Sequence, residues 1–157
     1  MSRPDVEAMA TVTLRLPPSA AHVRTARLVA AAMARRSGVS EEFLDEVRLA
    51  VGEACARAVR RHVRHGVTEP VTVEFVDQDR FSVTVIDVAQ APDVRPAAET
   101  SNGVSGRVEG SATEAWTDPM AESLGLALLG AVVQHLTVVD DPVGGGTRLT
   151  MSWPLDR

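Results

Sequence analysis

The chain has 157 residues, 45% of them apolar, and a net charge of −5. That suits one domain with a genuine core, gives no general electrostatic reason to bind nucleic acid, and its single cysteine, Cys55, excludes an intramolecular disulfide framework. No stretch approaches the ~20 apolar residues of a membrane helix, and the opening MSRPDVEAMATV has no signal-peptide layout; a cytoplasmic chain is expected, acting neither on a membrane nor directly on nucleic acid.

Aromatic residues are only 3% of the chain, so Val, Leu and Ala must fill the core. Val12, Leu14 and Leu16 alternate with Thr11, Thr13 and Arg15, which predicts a first strand. Pro17 and Pro18 stop it. Ser19 can cap a helix to about Arg36, with Val23, Ala26, Ala30 and Met33 on one face and Gly38 at its end. Ser40 can cap a second helix, with Glu41 and Glu42 in the first turn. Its apolar stripe is Phe43, Val47, Ala50, Val51, Ala54 and Ala58. It runs to about Arg64 and ends in a basic cluster: Arg57, Arg60, Arg61, His62, Arg64 and His65.

Val71, Val73 and Phe75 alternate with polar neighbours, as do Phe81, Val83 and Val85, and Asp77–Arg80 between them is turn-like. This predicts a β-hairpin. Residues 88–120 are polar and aperiodic, and are expected to form a long, mobile, lid-like loop. Trp116 within it is either an anchor onto the body or a partner contact. A helix is predicted over 121–136 from Leu124, Leu126, Leu128, Leu129 and Val132. Strands at 136–140 and 146–153 follow, the second alternating Leu149, Met151 and Trp153.

The order β-α-α-β-β-α-β-β predicts an α+β fold. It is a two-layer sandwich: a mixed, mainly antiparallel sheet of about five strands with three helices on one face, in a single domain over 10–155. The four histidines are scattered, so each reads as structural rather than as a ligand.

Four segments carry a further signal. Within Leu44–Val59, LDEVRLAVGEACARAV, Glu53 and Arg57 are four residues apart and share a helix face. Asp87-Val88-Ala89-Gln90-Ala91 follows the second hairpin strand. Glu122-Ser123-Leu124-Gly125-Leu126 opens the third helix, and Gly144-Gly145-Gly146-Thr147 opens the last strand. In this order they resemble the ATP-binding boxes of the anti-sigma-factor serine/threonine kinases of the GHKL (Bergerat) ATPase superfamily. The resemblance spans about residues 10–155.

The resemblance implies ATP as the nucleotide and Glu53 as general base. It implies Asp87 as acceptor for the adenine amino group, Thr147 beside Gly146 as its support, and Gly125 and Leu126 at the phosphate loop. The departures are specific. Arg57 stands where the family has a metal-ligating Asn, and a guanidinium has donors only, so Mg²⁺ is not expected. Ala89 and Ala91 replace glycines. Glu122 brings negative charge to the phosphate end. Arg57 is expected either to pair with Glu53 or to replace part of the missing metal charge. Any nucleotide that bound would be held at its adenine end, with Arg57 meeting the phosphates.

The family acts by partner switching, as a homodimer that binds a sigma factor and a STAS-domain anti-anti-sigma protein. Arg27 falls where the family carries a partner-contacting arginine, and Arg24 lies on nearly the same face. The resemblance therefore implies an anti-sigma-factor-like regulatory protein with degenerate, weak or absent ATP binding. The alternative is an active ATP-dependent serine/threonine kinase acting on a STAS-domain protein.

Overall fold

A computed structural model of the chain describes residues 10–90, 119–141 and 145–156, with the side chains of 119–122 excepted. The segment expected to form a lid, with Trp116 and Ala91, lies largely outside the described residues, as do Gly144 and the side chain of Glu122.

Among the described residues, five strands form one sheet: β1 (Ala10–Leu16), β2 (Val71–Asp77), β3 (Arg80–Asp87), β4 (His135–Asp140) and β5 (Thr147–Pro154), in the spatial order β1-β2-β3-β5-β4. Every pairing is antiparallel, so the expected mixed sheet is antiparallel throughout. Hairpins join β2 to β3 and β4 to β5, which demands this direction. The pairing register places Val73, Phe75, Val83, Val85, Leu149 and Met151 on one face, and all are buried. The opposite face is polar: Thr84 and Thr150 hydrogen-bond across it at 2.9 Å, and Arg148 reaches Glu74 at 3.5 Å.

Among the described residues, three α-helices accompany the sheet: α1 (Val23–Ser37), α2 (Glu41–Arg64) and α3 (Pro119–Val132). α1 and α2 pack along each other through Ala26, Ala30 and Ala34 on one side and Ala50, Ala54 and Ala58 on the other, all buried. Small side chains let the two helices close, and α2 lies against β3 while α3 packs on α2. Trp153, Phe81 and Phe75 form an aromatic run, with ring centroids 6.3 and 6.4 Å apart. Trp153 Nε1–H donates to Glu46 Oε1 at 2.8 Å.

The helix ends differ in detail from the sequence expectation. Ser19 caps a short 3-10 turn, Ala20–His22, accepting from the Ala21 amide, and α1 follows on from that turn. Ser40 holds the N-cap position of α2 without a side-chain cap; its carbonyl accepts from the Phe43 amide. Gly38 ends α1 at φ 94, and the Val39 amide bonds back to the Ala34 carbonyl, the left-handed termination that glycine favours. α3 ends at Val132, four residues short of the expected limit, because the chain turns there into β4.

Candidate functional site

Asp87, the last residue of β3, pairs with Thr147, the first of β5. Gly146 precedes Thr147 with φ 83. A β-carbon there would overlap the Asp87 carbonyl, so only glycine lets the two strands approach this closely. The site is built on this junction, and α2 covers it.

From α2, Arg57 and Arg61 project one turn apart into the junction. Arg61 Nε–H donates to Asp87 Oδ1 at 3.1 Å, and its Nη2 donates to the Ala89 carbonyl at 3.0 Å. Arg57 Nη1 donates to Thr147 Oγ1 at 3.0 Å and lies 3.6 Å from Asp87 Oδ2. The Thr147 hydroxyl donates to Asp87 Oδ2 in a short hydrogen bond, and the Ala89 amide donates to Oδ1 at 3.2 Å. Asp87, Thr147, Arg57 and Arg61 are all 2% exposed or less.

Two guanidinium groups therefore converge on one carboxylate out of reach of water. Burying these charges is costly, and only the dense pairing and hydrogen bonding offsets it. Arg61 also lies in the last turn of α2, where the helix dipole favours a cation.

The pairing of Arg57 differs from the expectation. Glu53 takes Arg60 as its ion-pair partner, Nη2 to Oε1 at 3.0 Å, while Arg57 reaches past it to the β3–β5 junction. Both Glu53 and Arg57 lie on α2, but Arg57 is drawn to a carboxylate and hydroxyl buried beneath the helix. In this structure Arg57 occupies the Asp87–Thr147 end of the site. Gly125 of α3 faces Glu53 so closely that a β-carbon would overlap Glu53 Oε1. Leu126 is half-buried against the core.

Two contributors were not singled out from sequence. Arg61 lies four residues beyond Arg57, and that helical spacing was the available signal. His62 is fully buried. Its Nε2 accepts from the Val88 amide at 3.0 Å, and its Nδ1 lies 2.9 Å from the Glu69 carbonyl. An amide can only donate and a carbonyl only accept, so the imidazole is neutral with its proton on Nδ1. It ties the end of α2 both to Glu69, two residues before β2, and to the Asp87–Ala89 loop. No spacing rule marks it, because both partners are backbone groups brought in by the fold.

Arg24 and Arg27 are exposed on α1, away from this junction. The guanidinium of Arg27 lies across α2 at Gly52, where a β-carbon would overlap Nε. Beside it, burial pushes the Cys55 thiol up to about 12, the Arg27 charge pulling the other way.

The residues present do not fit a nucleotide–metal pair. Both Asp87 oxygens already hold donors, and the neighbouring α2 side chains are guanidinium groups, which cannot ligate a cation. Among the described residues, no group of three or more His, Cys, Asp and Glu side chains is placed to hold a metal ion, and no helix is long and apolar enough to cross a membrane.

Residues 16–153 match the family described as the histidine kinase-like ATPase domain. The chain is 26% identical over 148 residues to the serine-protein kinase RsbW of Bacillus licheniformis, covering 93% of this chain and 86% of that one. It is 25% identical over 147 residues to RsbW of Halalkalibacterium halodurans, covering 94% and 85%. A match to RsbW of Bacillus cereus (strain AH187) is 27% identical over 82 residues and spans about half of each protein, 52% and 51%. With an antiparallel five-stranded sheet, its helical layer and a family match across nearly its whole length, the chain belongs to the histidine kinase-like ATPase domain family.

Proposed function

We propose that this chain is a regulatory binding protein of the anti-sigma-factor type, which engages its protein partner without a nucleotide. The observation that carries the reading is the state of Asp87. Its two carboxylate oxygens are engaged by Arg61, Arg57, Thr147 and the Ala89 amide, all within the chain. A ligand seeking an acceptor there must displace a buried ion pair, and breaking such a pair costs about 3–5 kcal/mol. That is enough to turn micromolar binding into millimolar.

The relatives named serine-protein kinase RsbW support the partner-switching class. The partners are then a sigma factor, a STAS-domain anti-anti-sigma protein, or both. The test is calorimetry in two arms. Titration with ATP and Mg²⁺ should give no heat of binding, whereas the STAS-domain protein or sigma factor of the same genome should bind with no nucleotide present. Micromolar ATP affinity, or partner binding only when ATP is added, sinks the proposal.

One observation favours the second reading, an active serine kinase. Glu53 keeps 23% of its side chain exposed beside Gly125 and could accept a proton once freed from Arg60. Transfer of labelled phosphate to a STAS-domain protein that is abolished by Glu53→Ala would establish it. Equal transfer by Glu53→Ala would remove it.

A further inference from the structure

The loop after β3 is fastened to the end of α2 at a second point, separate from the charges on Asp87. His62 is fully buried. Its Nε2 accepts from the Val88 amide at 3.0 Å, and its Nδ1–H donates to the Glu69 carbonyl at 2.9 Å. One imidazole thus joins three pieces of chain: α2, the 66–70 segment before β2, and the 87–90 loop. The two bonds make opposite demands, an N–H toward Glu69 and a bare lone pair toward Val88. Only the neutral ring meets both.

We propose that His62 is a proton-operated latch: a proton on Nε2 releases the Val88 amide and opens the root of the 87–90 loop while the rest of the fold stays closed. That proton sets an N–H against the Val88 N–H across 3.0 Å, two donors with no acceptor between them. The surroundings offer the new charge no partner. The charged and titratable groups around the ring are Arg57 and Arg61 of α2, His65 just past its end, Glu69 before β2 and Asp87 at the end of β3. Asp87 already faces both guanidinium groups. Glu69 meets the ring through its carbonyl, and the residue is exposed. A buried cation without an anion is costly, so the Val88 contact yields instead.

Water and room lie beside the latch. An open cavity of about 300 Å³ is lined by His65, Val67, Glu69, Val88 and Gln90, so both residues bonded to His62 border it. The rest of the loop is held by contacts that do not involve His62. Arg61 keeps Asp87 and the Ala89 carbonyl, and Gln90 lies against Gly145. Release is therefore local to Val88.

The test follows amide exchange in the full-length chain by NMR at about pH 7.5 and about pH 5.5, expressed as protection factors so that the intrinsic pH dependence of exchange divides out. A solvent-exposed imidazole titrates near pH 6.5, so one proton linked to opening gives about a tenfold loss of Val88 protection over this range. Val83, in the middle of β3, should keep its protection, and the near-UV circular dichroism of Trp153 should not change. His62→Gln carries an uncharged carbonyl acceptor to the reach of Nε2 and should hold Val88 protection constant. His65→Gln leaves the latch intact and should show the wild-type loss. If His62→Gln does not fold, the wild-type ring decides: the ¹⁵N shift of His62 Nε2 must move with the Val88 amide along one titration curve. Unchanged Val88 protection in wild type overturns the latch, as does an equal loss in His62→Gln or a loss shared by Val83. A Val88 transition that does not follow the His62 ring overturns it too.

Discussion

Arg61 donates to Asp87 Oδ1 at 3.1 Å and to the Ala89 carbonyl at 3.0 Å, so one fully buried guanidinium holds both the carboxylate and the backbone two residues beyond it. The loop after β3 thus takes its shape from a side chain of α2. In the sequence the same loop carries Ala89 where the resembling family has glycine. Here the Ala89 amide and carbonyl are both committed, to Asp87 and to Arg61.

Asp87→Asn should be among the most destabilising substitutions in the chain. It leaves Arg57 and Arg61 buried without their carboxylate, and an uncompensated buried charge costs about 3–5 kcal/mol. Urea unfolding should show the loss as a lower midpoint with an unchanged slope. A loss under about 1 kcal/mol would mean that the network contributes little.

Two glycines with positive φ should respond very differently to alanine. Gly66 has φ 64 and open space around a β-carbon, so Gly66→Ala should cost only the left-handed conformation, about 1–2 kcal/mol. Gly146 has φ 83 and abuts the Asp87 carbonyl. Gly146→Ala adds overpacking against backbone to the same conformational cost, about 3 kcal/mol or more in all. Equal melting temperatures for the two variants would contradict the close approach at the junction.

Gly52 and Gly130 make a parallel comparison inside helices. Nothing lies near a β-carbon at Gly130, so Gly130→Ala should stabilise α3 by about 0.5–1 kcal/mol. The same gain should be missing from Gly52→Ala, because Arg27 must leave its seat across α2. Thermal unfolding of the two variants decides this.

His62→Ala should lose both of its hydrogen bonds and leave a cavity, costing about 3 kcal/mol. His62→Asn ends at the Nδ1 position and can restore only the bond to Glu69. Amide exchange at Val88 should therefore be fast in both variants and slow in wild type. Slow exchange in His62→Ala would show that another group satisfies that amide.

Cys55 should be inert in the folded protein. Burial raises its thiol from 9.0 to about 12, so the reactive thiolate is suppressed at neutral pH and a disulfide reagent should label it only on unfolding. The pH dependence follows in sign. The unfolded thiol ionises first, so this contribution is intact below pH 9.0 and is lost as pH rises from there toward about 12. Rapid labelling under native conditions would show that α1 and α2 separate readily.

The elements were legible because local patterning declares them. Alternation in Val71–Phe75 and Phe81–Val85, the 3.6-residue stripe of α2 and the stop at Gly38 each reflect a requirement met within a few residues. The resemblance of the four boxes also placed Asp87 and Thr147 together, and their pairing across β3 and β5 does so physically. The partner of Arg57 was decided elsewhere. Spacing along the helix made Glu53 a plausible partner, since both share one face. The outcome turned on a carboxylate and hydroxyl brought beneath α2 by strands 30 and 90 residues away, and on Arg60 being within reach of Glu53. The same holds for His62, whose two partners are backbone groups with no signature in the residue string. A sequence declares which faces are apolar and where helices stop, because those are local matters. Which buried charge meets which is set by long-range packing, where desolvation makes each buried group take whatever partner the fold delivers.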